Sequence, residues 1–413
     1  MPPQECPPAV IQCIIHWVLT SCVSSVNSDG IRHLCSASAP CKTALDLFSP
    51  FFTLKLVNSV WNNSIRELKL EAFFSNVEDG VYYPHSWHIN TRVRKGVLLS
   101  RYRVFKTIQS EAGDHGVYDA YDFGGPKGCA GATEIAVKAW SSGSDMEFHN
   151  EVAAYRLLHN YSGVPQTFSG AQYDALCDVH ILPMQKLGPT LDDLISVLPN
   201  HRLDARMVLT VAIQMIERYR DIHMTGLIHN GTKPANICLA PRGSNKKGML
   251  YIIDFGFALP LEDNLPLPSA HRIDVVGNRK YMSVLAHHGI SKSQRDDLES
   301  LAYLLSYLFH GSLPWEIPLM TRLRSYRSST SDADKNQNEQ PQVWRRKIAT
   351  PASKLFRDMD ECFHEFWRDV KALAYGEMPD YEKMRARFAL CLETHEKGCE
   401  PRDWWGIWDE CHK

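Results

Sequence analysis

His229-Asn230-Gly231-Thr232-Lys233-Pro234-Ala235-Asn236 reads HNGTKPAN, and 18 residues after Asn236 stands Asp254-Phe255-Gly256. Upstream, Glu134-Ile135-Ala136-Val137-Lys138 is a strand-like run that ends on a lysine. The stretch from Glu147 to Leu158 then carries apolar residues at helical spacing on one face and places Glu151 on that helix. Taken singly, each feature has a plain structural reading. Asp254 before Phe-Gly suits a bend, and a lysine with a glutamate some residues on is a common solvated pair. Their order and spacing together carry more information than any one of them.

Outward from these motifs the chain divides into a strand-rich part and a helix-rich part. Arg103-Val104-Phe105 and Val117-Tyr118 are strand-like runs around a glycine-containing turn. A long helix is expected from about Asp204 to Met224, with Val208, Val211, Ala212, Met215, Ile216 and Tyr219 as its apolar stripe. Asp297 to Leu308 is apolar nearly all round, which predicts a helix buried in the core of a large lobe. Between Tyr326 and Gln342 the run SSTSDADKNQNEQPQ has nothing to bury and reads as a flexible insertion. Strands first and helices after predict an α+β chain of two unequal lobes, the smaller one built on a sheet.

The combination Val137-Lys138, Glu151, HNGTKPAN and Asp254-Phe255-Gly256 closely resembles a protein kinase. Longer stretches are similar to the casein kinase I type: LGPTLDDLI (Leu187–Ile195), SVLAHHGISKSQRDDLESLAYLL (Ser283–Leu305) and HGSLPWE (His310–Glu316). Ala349-Thr350-Pro351, Glu365-Phe366 and Pro379-Asp380-Tyr381 match the last helices of that family, so the resemblance spans Arg101 to Lys397, 297 residues. It implies a bilobal protein kinase fold, with a small β-rich N-lobe at about 101–186 and a larger helical C-lobe at about 187–397.

The resemblance also implies roles. Lys138 would hold the α- and β-phosphates of ATP, with Glu151 as its ion-pair partner, while Asn236 and Asp254 would chelate Mg2+. Lys233 matches the catalytic-loop lysine that contacts the γ-phosphate. Met184 falls at the gatekeeper and Leu187 at the hinge, where its backbone would pair with adenine. Asp297 matches the buried aspartate that ties the large-lobe helix to the catalytic loop, and Tyr155, His229 and Phe255 fall where a regulatory spine stacks. Lys280 stands where one arginine of an anion-binding substrate site sits, with Arg272 and Arg279 close by. Scattered solvated charges are an equal reading of those three.

Three departures bear on activity. The family's catalytic loop reads His-Arg-Asp, and here those places are His229, Asn230 and Gly231. Glycine neither accepts a proton nor orients a hydroxyl, and no residue of HNGTKPAN is a carboxylate. Ala235 replaces the acidic residue usual before the magnesium-binding asparagine. The glycine-rich loop is reduced to Gly113 and Gly116, with Glu111 placing a negative charge near the triphosphate. A positioned general base is worth about 10²- to 10⁴-fold, so phosphoryl transfer is expected to be crippled rather than necessarily abolished. Two functions remain open: a pseudokinase scaffold or regulator that binds ATP or a protein partner, and a slow Ser/Thr kinase acting on a protein substrate.

The bulk composition fits either function. The 413 residues are 44% hydrophobic and 22% charged with a net charge of −2, so no global field recruits nucleic acid or an anionic membrane. Twelve cysteines show no repeated CxxC, although Cys6, Cys13, Cys22, Cys35 and Cys41 crowd the N-terminus. The apolar run from Ala9 is interrupted by Gln12 and His16 and has no basic start, which argues against a signal peptide or membrane span. The expected setting is intracellular, cytoplasmic or nuclear. Residues 1–98 form an unassigned extension and 398–413 a tail, in which Trp404-Trp405-Gly406-Ile407-Trp408 packs on the large lobe or anchors a partner.

Overall fold

The computed structural model describes residues 93, 97–98, 101–110, 115–124, 133–141, 145–174, 178–246, 248–261, 277–289, 292–316, 343–396 and 403–412. The 326–342 insertion, Gly113, Glu111 and Arg272 lie outside the described residues, as does nearly all of the 1–98 extension. Two compact units emerge: residues up to Asp145 with Thr167–Lys186, and Met146–Gln166 with Leu187 onward.

The first unit is a six-stranded sheet in the order β1-β2-β3-β4-β6-β5. Its strands are β1 (Val97–Leu98), β2 (Tyr102–Ser110), β3 (His115–Asp122), β4 (Thr133–Ser141), β5 (Gln172–Asp174) and β6 (Val179–Gln185). All pairings are antiparallel, and β4 sits between β3 and β6 with Lys138 opposite Val117 on one side and Leu182 on the other. Alternation sends Ile135, Val137 and Ala139 of β4 into a core with Tyr102, Val104, Tyr118, Ala120, Val179 and Ile181. The intervening Ala136 and Lys138 are buried as well, so the middle of β4 is covered on both faces.

The second unit is mainly helical. It contains α1 (Asp145–Leu157, from Met146 onward), α2 (Leu191–Val197), α3 (Ala205–Met224), α4 (Gln294–His310) and α5 (343–349). They are followed by α6 (Ala352–Leu355), α7 (Glu361–Ala372), α8 (Tyr381–Glu396) and α9 (Trp404–Cys411). Asp204 caps α3 by accepting from Met207 N, and every residue of the expected apolar stripe is buried. The helix expected from Asp297 begins three residues earlier, at Gln294. Ser293 and Asp296 form a capping box there, and the left-handed Gly311 (φ 78°) ends the helix. Thr190 and Asp193 form a second capping box at the start of α2. Helices α3, α4 and α8 pack together as the centre of this unit. Two small antiparallel pairs complete it, β7 (Leu227–Ile228) with β10 (Leu259–Pro260) and β8 (Ile237–Leu239) with β9 (Leu250–Ile252). The α+β division into a sheet unit and a helical unit is thus the one the sequence predicts.

The tryptophan-rich tail belongs to the second unit. Trp404 is buried, and Trp405 Nε1 donates to Ala240 O at 3.2 Å. A Cβ at Gly188 would lie 2.7 Å from Trp405 Cζ2 and 3.0 Å from Ala240 O, so the LGPT turn needs glycine for the tail to lie against it.

Candidate functional site

Strand β7 delivers the chain to His229, which is fully buried. From there the loop hangs on one carboxylate of α4. Asp297 Oδ2 accepts from His229 N at 2.7 Å, and Oδ1 accepts from Asn230 N at 2.8 Å. His223 Nε2 of α3 meets the same Oδ2 at 2.9 Å, and its Nδ1 lies 2.5 Å from the Tyr381 hydroxyl. Burial alone would raise the Asp297 pKa, but His223, His229 and the Asn230 N–H hold it below the usual carboxylate value. Asn230 takes a left-handed conformation (φ 56°) and its side chain donates to Phe257 O at 3.1 Å. Lys292 Nζ donates to the Asn230 carboxamide oxygen, so a lysine of the following segment reaches the position where the family has arginine.

Gly231 sits at the centre of this loop. Its N–H donates to His229 Nδ1 at 3.2 Å, which leaves Nε2 to carry the ring proton toward Ile253 O at 3.2 Å. Burial keeps the imidazole neutral by lowering its pKa. The carbonyl of Gly231 accepts from Asn236 Nδ2 at 2.8 Å, which makes Oδ1 the atom Asn236 would offer a cation. Ile253 N donates to Asn236 O at 3.0 Å, so the β8–β9 register carries Asn236 and Asp254 to the same end of the hairpin. One carboxylate and one carboxamide oxygen are hard donors of the kind Mg2+ accepts.

Asp254 has φ 69°, and its carboxylate lies 3.6 Å from Lys233 Nζ. Both side chains remain about a quarter exposed, at 21% for Lys233 and 25% for Asp254. The Asp254 N–H donates to the Tyr155 hydroxyl at 3.4 Å. Phe255 stacks edge-on against Tyr155 and His229, with ring centroids 5.0 Å away in each case. Tyr155, Phe255 and His229 therefore form one aromatic column through this unit. Glu151 is buried on α1, and a Cβ at Gly256 would stand 3.6 Å from its Oε2 and 3.7 Å from Asp254 Oδ1. Leu187 packs beside a small cluster of Cys238, Ala240 and Tyr251.

In the first unit, Lys138 is buried on β4 with Nζ 5.3 Å from the Trp140 ring centroid. Met184 is buried on β6 opposite Ala136. Gly116 pairs with Ala139, and Tyr118 crosses it so closely that a Cβ would lie 2.5 Å from the hydroxyl oxygen.

Of the basic residues named from the sequence, Lys280 is engaged by its neighbours. Lys280 Nζ pairs with Glu316 at 2.6 Å and lies 3.6 Å over the Tyr307 ring. Lys347 of α5, which sequence reasoning missed, donates to Arg279 O at 2.9 Å and Met282 O at 2.6 Å. Burial pushes its pKa down to about 7 against the pull of Glu299. Trp315 Nε1 donates to Lys280 O at 2.9 Å, so side chains from elsewhere in this unit hold the 279–282 backbone. Nothing in the sequence separates Lys347 from its exposed neighbours Arg345 and Arg346; only burial does.

Beside it, burial, Lys347 and Arg279 lower the His287 pKa to about 3. The unfolded chain therefore binds a proton between about pH 6.5 and 3 that the folded chain refuses, and stability falls as pH drops through that window. His287→Gln is expected to flatten the acid side of a plot of melting temperature against pH while running parallel to wild type above pH 7. Equal acid slopes would show that His287 protonates in the folded chain.

No protein-family model matches the chain. It is 30% identical over 277 residues to casein kinase I homolog 3 of Schizosaccharomyces pombe, a match covering 65% of this chain and 59% of the relative. Casein kinase I homolog 1 of the same yeast is 28% identical over 264 residues, 63% of this chain and 55% of the relative. The chain thus spans less than two thirds of the length of these curated relatives. The sheet unit, the helical unit with its Asp297-anchored loop, and these two relatives together support a protein kinase domain of the casein kinase I type with the bilobal kinase fold.

Proposed function

We propose that the chain binds Mg-ATP and transfers phosphate poorly or not at all, acting as a pseudokinase that scaffolds or regulates a protein partner. The observation that carries this reading is Gly231. The loop around it is held by hydrogen bonds, with Asp297 at its entry and Asn236 at the Gly231 carbonyl, yet Gly231 presents no side chain where a substrate hydroxyl would lose its proton. Asn236 and Asp254 would hold the metal, whose charge neutralises the phosphates when bound, and Lys233 beside Asp254 would face the terminal phosphate. Lys138, Glu151, Met184, Leu187, Gly113 and Gly116 keep the nucleotide roles that the family resemblance gives them, while the loss of the loop's other glycines and the charge of Glu111 weaken the phosphate-covering loop.

The retained Lys233–Asp254 contact favours one second reading, a slow Ser/Thr kinase without a dedicated base. Phosphoryl transfer through a loose transition state draws mainly on positioning and charge, which that reading uses. Calorimetric titration with Mg-ATP and a casein phosphorylation assay separate the possibilities. The expected result is magnesium-dependent ATP binding that Lys138→Met weakens, with no transfer above background. Transfer by wild type that Lys138→Met abolishes would make the protein an enzyme, and absence of magnesium-dependent binding would remove the nucleotide from both readings.

A further inference from the structure

Away from the catalytic loop, three side chains able to hold a metal ion, Asp360, Cys391 and His395, converge where α7 meets α8, with the Cys362 thiol next to that of Cys391. Asp360 is the N-cap residue of α7, and Cys362 is the second residue of that helix. Cys391 and His395 stand four residues apart on α8 and therefore share one face of it. His395 Nε2 lies 3.0 Å from Asp360 Oδ2, and ligand atoms of Asp360, Cys391 and His395 all fall within 4.8 Å of one another. The Cys391 thiol neighbours both Asp360 and Cys362, and Cys362 is buried. Both thiols are free.

The geometry points to a zinc site in which Cys362, Cys391, His395 and Asp360 ligate one ion and clamp α7 to α8. A tetrahedral ion with bonds of about 2.0–2.3 Å spaces its ligands by roughly 3.3–3.8 Å, so side-chain rotation would close the present cluster around it. Two sulfurs with one imidazole and one carboxylate form a mixed set that suits zinc better than the all-oxygen sets of magnesium or calcium. A simple reading of the same residues is an ion pair between Asp360 and His395, at side-chain exposures of 35% and 32%. An ion pair that exposed adds little to stability. It also leaves unexplained why two cysteines from different helices meet beside the same carboxylate.

The test is zinc binding by the full chain after reduction and chelator treatment, read by metal analysis after desalting and by competition with a chromogenic chelator. Cobalt(II) serves as a spectroscopic probe. Because five cysteines lie within the first 41 residues, a variant with Cys6, Cys13, Cys22, Cys35 and Cys41 replaced by serine serves as the background. That background should bind one zinc, raise its melting temperature on binding, and give the visible bands of tetrahedral cobalt–thiolate coordination. Cys391→Ser and, separately, His395→Gln should weaken binding at least ~100-fold, beyond the ~10–100-fold typical for loss of a residue outside the ligand set. Should Cys391→Ser fail to fold, Asp360→Asn provides the same comparison at a half-exposed position. Zinc binding that persists unchanged in these variants, or a background chain that takes up no zinc, overturns the assignment.

Discussion

Gly231→Asp is expected to raise phosphate transfer to casein by about 10²- to 10⁴-fold over wild type, the range a positioned general base supplies. The surroundings make this more than a restoration on paper. Gly231 is not among the residues with positive φ, so an aspartate meets no left-handed strain there. Its Cβ would come to 3.1 Å from His229 Cε1 and 3.4 Å from Asn236 Nδ2, close enough that the ring must give by a few tenths of an ångström. His229 has little freedom to yield, because its ring bridges Gly231 N and Ile253 O. A loss of about 1 kcal/mol in stability is therefore expected beside the gain in rate. Lys138→Met in the Gly231→Asp background should abolish the transfer and exclude a contaminating kinase. If wild type already transfers phosphate and the aspartate changes nothing, the proton goes elsewhere and the pseudokinase reading is wrong.

Features set by local chemistry are legible, among them the apolar stripe of α3 and the strand around Lys138, whereas the stacking of Tyr155, His229 and Phe255 is implied only by the family resemblance. Periodicity and spacing report the stripe and the strand directly. Helix α4 starts three residues before the expected Asp297, at Gln294 and Arg295, which look like surface residues in the sequence. The Ser293–Asp296 capping box was nonetheless present in the sequence and marks the true start.

Features that depend on distant residues meeting were not legible. Lys292 reaching Asn230, Lys347 holding the 279–282 carbonyls, and the Asp360–Cys391–His395 cluster each join residues whose nearness only the tertiary fold creates. Of the two equal readings of Lys280, an anion site or a solvated charge, the structure adds that Glu316 and the Tyr307 ring already engage it. A phosphate arriving there would have to displace a carboxylate at 2.6 Å.

The same dependence on tertiary contacts makes Asp297 the residue whose loss should damage the fold most. Its two oxygens take hydrogen bonds from His229 N, Asn230 N and His223 Nε2, all at 2.7–2.9 Å and buried or nearly so. Asp297→Ala leaves two backbone N–H groups and a buried imidazole without their acceptor. Each orphaned buried group costs about 1–3 kcal/mol, and removing one partner from a buried charged network costs about 3–5 kcal/mol. A loss of about 3–5 kcal/mol is therefore expected in urea unfolding. Asp297→Asn retains one carbonyl acceptor, but its NH2 faces a donor and satisfies only part of the network, so it should fall between wild type and alanine. The network reaches Tyr381 through His223, so Tyr381→Phe should cost less, about 1 kcal/mol, because it removes a single hydroxyl. If Asp297→Ala unfolds within 1 kcal/mol of wild type, water or another group satisfies the loop, and Asp297 does not anchor it. If the order alanine, asparagine, tyrosine variant holds, one carboxylate on α4 fixes the backbone that positions Gly231, and a gain of transfer by Gly231→Asp should vanish when Asp297 is also removed.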